Sequence, residues 1–152
     1  MTNAVRIRRG EPRDAATIAD FNARMAWETE HKLLDADILS RGVSRVFEDP
    51  AKGFYLVADL AGDVVGQLMI TYEWSDWRDG WIWWIQSVYV RDDCRRRGIF
   101  RSLHEEAIRL ARASGDVVGV RLYVERENTR AQATYERLGM CDPGYVVREL
   151  ML

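Results

Sequence analysis

The chain has 152 residues, 47% of them apolar and 30% charged, with 22 basic against 24 acidic side chains and a net charge of -2. That length fits one ordinary domain, 1–152, able to bury roughly two-thirds of the surface of its unfolded form, and the composition is that of a folding chain. A near-neutral balance excludes a general nucleic-acid partner, which calls for a basic excess. Charges at Arg6, Arg8 and Arg9 leave no apolar leader, and the strongest apolar run, 81–85, is far too short to cross a bilayer, so no membrane association is expected and a cytoplasmic location is. Cys94 and Cys141 read as free thiols, and neither stands at a metal-type spacing from His31 or His104, so no metal is expected.

In chain order, residues 5–8 alternate apolar and polar and predict a short strand, broken by Gly10, Glu11 and Pro12. Asp14 can cap a helix carried by Ala15, Ile18, Ala19 and Phe21. Residues 25–34 have mixed polarity and read as an irregular link to a second helix, whose stripe of Ile38, Leu39, Val43, Val46 and Phe47 runs to the stop at Asp49 and Pro50. Two β-rich runs, 54–60 and 64–72, flank Ala61, Gly62 and Asp63 and predict an antiparallel hairpin. After a second turn at 75–80, residues 81–90 are apolar at odd and even positions alike, the pattern of a central strand covered on both faces. From Gly98 a helical stripe of Ile99, Leu103, Ala107, Leu110 and Ala111 ends before Gly115, and a buried strand at 117–124 completes a parallel crossover. A last helix carries Ala131, Tyr135 and Leu138 on one stripe and stops at Gly139, with a closing strand expected at 145–150.

Chemistry concentrates first at Arg95, Arg96, Arg97, Gly98, Ile99, Phe100 and Arg101, between the central strand and a long helix. A glycine turn there exposes amide N–H groups at the positive end of the helix dipole, a seat for a pyrophosphate; a relaxed turn with a solvated basic surface has the same composition. This segment resembles the Gln/Arg-x-x-Gly-x-Gly/Ala motif of the GCN5-related N-acetyltransferases, with Arg95 and Gly98 matching and Phe100 standing where the family more often has Gly or Ala. Further on, Asn128, Ala131, Tyr135 and Gly139 resemble the family's second motif, in the right order and one strand away.

That resemblance covers nearly the whole chain. It implies an α/β fold with a central mixed, mostly antiparallel twisted sheet, a splayed parallel strand pair and about four flanking helices. It implies acetyl-CoA as cofactor and direct transfer of its acetyl group to a primary amine of a small molecule or peptide. Tyr135 would be the acid that protonates the departing thiolate, Asn128 would bond the pantetheine arm, and Val88, Tyr89 and Val90 would hold that arm through the main chain of a bulged strand. Asn128 as a simple helix cap and Tyr135 as a core aromatic remain alternatives on the residues alone.

An amine nucleophile must lose a proton from a group whose pKa is about 10.4, so a carboxylate or a water is needed as base. Glu28, Glu30, Glu73 and Asp76 are the candidates, with Glu28 expected to face the acceptor. Trp74 and Trp77 lie in a tryptophan-rich hairpin with Trp81, Trp83 and Trp84, which supplies either core and dimer packing or an aromatic wall for the acceptor. A homodimer is left open. So is a non-catalytic reading, an acyl-CoA sensor of the same fold.

Overall fold

The computed structural model describes residues 4–152. The chain divides into two compact units, one reaching Leu122 and one running from Tyr123 to Leu152. The first contains strand β1 (Arg6–Arg9), helices α1 (Ala15–Glu30) and α2 (Ala36–Glu48), strands β2 (Phe54–Leu60), β3 (Asp63–Ser75) and β4 (Gly80–Val90), helix α3 (Ile99–Ser114) and strand β5 (Val117–Leu122). The strands form one sheet in the order β1-β2-β3-β4-β5. Every pairing is antiparallel except β4 with β5, as expected for a crossover through α3.

Local chemistry explains most of these elements. Asp35 accepts the amides of Asp37 and Ile38 and starts α2, while Gly98 and Gly115, both left-handed, bracket α3. Ala61 and Gly62 both take positive φ, the backbone a tight β2–β3 hairpin requires. Asp14, by contrast, does not cap α1 with its side chain. Its carboxylate is captured by the Arg8 guanidinium at 2.8 and 3.0 Å and by the Glu11 amide at 2.7 Å. Burial alone would raise its pKa, but the Arg8 and Glu11 hydrogen bonds outweigh it and hold the carboxyl below the usual range.

Residues 25–30, expected as a link, are the last turns of α1. Their mixed polarity is that of an exposed helix end, stopped where His31 turns left-handed and Lys32 N–H reaches back to the Ala26 carbonyl. Glu28 and Glu30 are therefore helical.

The sheet is covered on two faces. Against α3 pack Leu56, Leu68, Ile70, Trp83 and Ile85 with Leu103 and Ala107. Against α1 and α2 pack Tyr55, Val57 and Tyr89 with Ile18, Phe21, Val43 and Val46. Leu68, Ile70 and Leu103 are fully buried, each worth about 1.5–3 kcal/mol in removal from water.

One irregularity in β4 positions everything that follows. Met69 pairs with Gln86 and Gln67 with Tyr89, so two steps along β3 match three along β4. The extra residue is a bulge, and Ser87 there has φ 50°, left-handed without being glycine. Side-chain parity inverts across it. Trp81, Trp83 and Ile85 face α3 before the bulge, Val88 and Val90 face α3 after it, and Tyr89 turns toward α1.

The second unit holds α4 (Thr129–Arg137), with Asn128 Oδ1 accepting the Ala131 amide at 3.1 Å. The closing strand expected at 145–150 is absent. Pro143 lacks a donor, Gly144 takes φ 85°, and Val146, Val147 and Leu150 are exposed outside any strand. β-branched residues favour a strand only where another strand meets them. Among the described residues no helix is long and apolar enough to cross a membrane.

Candidate active site

β5 pairs with β4 only from Trp81 to Ile85, leaving Gln86–Val90 with no β5 partner beside them. The direction of the exposed groups follows from the ladder. Arg91 N–H donates to the Val65 carbonyl at 2.9 Å, so alternation aims the Tyr89 main chain at β3 and those of Val88 and Val90 at the side β5 has left. The Val90 carbonyl there accepts from Arg95 Nε at 2.9 Å.

Next along the chain is the turn into α3. Arg96 (φ 64°) and Gly98 (φ 74°) are left-handed, and the helix begins with no side-chain cap, so its first amides point outward at the positive end of a 16-residue dipole. A Cβ at Gly98 would meet nothing within 4 Å, so the backbone conformation demands glycine and the space before it stays open. Arg95, Arg96 and Arg97 are exposed around this turn. Arg101 pairs with Glu105 at 2.8 Å along the helix, and the Phe100 ring lies 6.1 Å from that of His104 on the same helical face, leaving the turn its backbone donors. Uncapped amides, open space at Gly98 and surrounding positive charge fit a coenzyme A pyrophosphate.

Glu28 meets this region from α1. Its Oε1 accepts from Tyr89 OH at 2.9 Å and its Oε2 from Arg95 at 2.7 Å, with the Arg95 guanidinium 5.4 Å over the Tyr89 ring. The Arg95 hydrogen bond holds the Glu28 carboxyl below the usual range, and burial pushes the Tyr89 phenol up. Beside the bulge an open cleft of about 420 Å³ is lined by residues of α1 and the segment after it, among them Asn22, Met25, Thr29, Glu30 and Lys32, together with Ser87.

The other expected acceptor groups are elsewhere. Glu73 pairs in register with Ile82, five residues before Ser87 and roughly 16 Å along the strand, and its carboxylate takes Trp84 Nε1 at 3.1 Å and Arg121 at 2.9 Å. Trp74 turns to the opposite face, edge-on to Trp81 at 5.0 Å, while Asp76 and Trp77 are exposed in the β3–β4 turn. Trp83 is a core residue, edge-on to Phe54 at 5.4 Å. In the second unit burial pushes the Tyr135 phenol up, keeping it protonated at neutral pH, and Ala131 lies one turn earlier on α4. Sequence reasoning passed over Gln67 and Asn22, buried polar side chains joined at 2.9 Å. A glutamine inside an otherwise apolar strand was the signal that could have found the first.

Residues 13–140 match the model of the acetyltransferase (GNAT) family. The chain belongs to that family. This GNAT chain is 46% identical to a possible acetyltransferase from Clostridium difficile 630 whose crystal structure superposes with a TM-score of 0.91, covering 97% of both chains. It is 30% identical over 139 residues to a mycothiol acetyltransferase of Gordonia bronchialis and 34% identical over 148 residues to one of Mycolicibacterium gilvum. These alignments take in 90% and 91% of the GNAT chain but only 44% and 46% of those proteins, so it spans less than half of their length. A predicted acetyltransferase from Clostridium acetobutylicum, solved with acetyl-CoA, shares the fold at 12% identity and a TM-score of 0.79, covering 97% and 96% of the two chains.

Proposed function

We propose that this acetyltransferase takes its acetyl group from acetyl-CoA and places it directly on a primary amine of a small molecule, within the cytoplasm. The observation that carries the reading is the second half of β4, which offers the main-chain groups of Val88 and Val90 along an open edge ending at the uncapped turn before α3. The bound cofactor supplies a thioester, an acyl group activated toward nitrogen. Ile99, Phe100 and Arg101 amides hold its pyrophosphate, Arg95, Arg96 and Arg97 add charge, and Val88 and Val90 pair with its amide arm as another strand would. In this reading the Val88 N–H meets the charge that develops on the acyl oxygen.

The cleft beside Ser87 is the acceptor site in this reading. Its size is that of a small-molecule pocket, and the mycothiol acetyltransferase name of two relatives supports a small acceptor over a protein. Glu30 in its wall meets the incoming ammonium and leads a proton away directly or through water. Glu28, held by Arg95 and Tyr89, is a weak proton acceptor as it stands, and its part is to fix Arg95 beside the turn. Tyr135 is the acid for the leaving thiolate and Asn128 a partner of the pantetheine arm.

Calorimetric titration with acetyl-CoA tests the cofactor, with 3′-dephospho-acetyl-CoA and succinyl-CoA as comparisons, followed by thiol release across a panel of amines. Micromolar binding with amine-dependent release is expected. Binding without release for any amine would favour a sensor, and no binding at millimolar ligand would remove the reading. Tyr135→Phe should lower kcat by on the order of 10²-fold with acetyl-CoA affinity kept; an unchanged kcat would remove Tyr135 as the acid.

A further inference from the structure

The bulge in β4 raises a physical question: what holds Ser87, a residue with a Cβ, at φ 50° inside a strand. Its neighbours on β3 give the answer. Gln67 is completely buried, and its Nε2 donates twice, to the Ser87 carbonyl at 3.1 Å and to Asn22 Oδ1 at 2.9 Å. Asn22 is itself buried on α1 and lines the cleft together with Ser87.

The amide can sit only one way round. Its N–H groups face Asn22 Oδ1 and the Ser87 carbonyl, and because that carbonyl cannot turn, flipping the amide would set Gln67 Oε1 against the Ser87 oxygen. In the orientation present, Oε1 has no hydrogen-bond partner among the described residues. A buried carbonyl left unpaired is costly, and the two donated bonds are what that orientation secures.

From this geometry we infer that Gln67 is the positioning residue for the acyl site: its side chain takes the Ser87 carbonyl, fixes the left-handed bulge, and so aims the Val88 and Val90 main chains at the open edge. Gln67 touches neither cofactor nor acceptor and acts through Ser87. Without the extra residue in β4, Val88 and Val90 would turn their main chains toward β3 and Tyr89 would present its own to the open side. The functional part of this inference rests on the cofactor reading above; the structural part does not.

The test uses the full chain and three measurements. In the wild type, the Gln67 side-chain N–H protons should exchange with solvent far more slowly than those of an exposed glutamine, and equally fast exchange would overturn the inference without any variant. In Gln67→Met, which keeps the volume and removes both donors, hydrogen exchange at residues 87–90 should rise while that of β1 and β2 stays unchanged. Acetyl-CoA affinity should fall about tenfold, the loss expected for one misplaced set of hydrogen bonds. Adding Ser87→Gly, which adopts a left-handed φ without help, should recover part of that affinity. A merely structural glutamine would lower the melting temperature of Gln67→Met yet leave exchange at 87–90 and affinity at wild-type values, and that result would refute the inference. Should the wild type fail to bind acetyl-CoA, the cofactor reading falls, and the exchange data still decide whether Gln67 holds the bulge.

Discussion

Residues 81–85 and 86–90 belong to one strand, and both are largely apolar, yet they do opposite things. The first half is bonded on both sides, by β3 and by β5, and its Trp83 and Ile85 are packed into the core against α3. The second half pairs with β3 but not with β5, begins with the bulge at Ser87, and leads along the chain into the uncapped start of α3. Under the proposed function, the contrast is how a buried strand acquires a binding edge: not by changing its residue types but by withdrawing one neighbour and inserting one residue.

Substitutions should separate the two halves, and the largest effect belongs to the closed one. Trp83→Ala empties a core site between Phe54 and Tyr72 and should cost about 3–5 kcal/mol in denaturant unfolding, while the protein that remains folded keeps its acetyl-CoA affinity. A loss of affinity as large as the loss of stability would mean the halves are not independent. Gly98→Ala acts at the open end. A left-handed alanine costs about 1–2 kcal/mol of strain, which the turn can relieve only by shifting its amides, so calorimetry should read roughly tenfold weaker binding. Unaltered affinity would show that the turn does not hold the phosphates.

The smallest effect is that of Glu28→Gln. Its pair with Arg95 is substantially exposed, so at neutral pH the stability change should stay below about 1 kcal/mol. The sign with pH is definite. The folded pKa of Glu28 lies below its ordinary 4.5, so the pair contributes above that value and the contribution disappears as pH falls through the lower, folded one. Wild type and Glu28→Gln should therefore converge in melting temperature in acid below pH 4.5. A gap that widened there would contradict the ion pair.

The fold was legible wherever chemistry is local. The stop of α2 at Asp49, the glycines at either end of α3, the positive-φ turn at Ala61 and Gly62, and the apolar run of β4 all announce themselves through residue type. The end of α1 did not, because Trp27, Glu28 and Glu30 form an exposed helix end with no apolar stripe, and what stops it is a left-handed histidine rather than the glycine that usually marks a helix end. The strand expected at 145–150 had the residue types and lacked the partner. In the site, Arg95 and Gly98 were visible as a motif, whereas the location of the bulge was not, since serine carries no signature for φ 50° and Gln67 lies 20 residues away in sequence. Spacing likewise could not show that Glu73 and Trp74, adjacent in sequence, point to opposite faces at the far end of the hairpin from Ser87.

The most direct measurement of the central claim is residue-resolved hydrogen exchange on the wild type with and without acetyl-CoA. The account predicts that the amides of Val88, Val90 and the first turn of α3 become protected on binding while those of 81–85, already bonded on both sides, do not change. Protection confined to other segments, or none at Val88 and Val90 with the ligand bound, would contradict it.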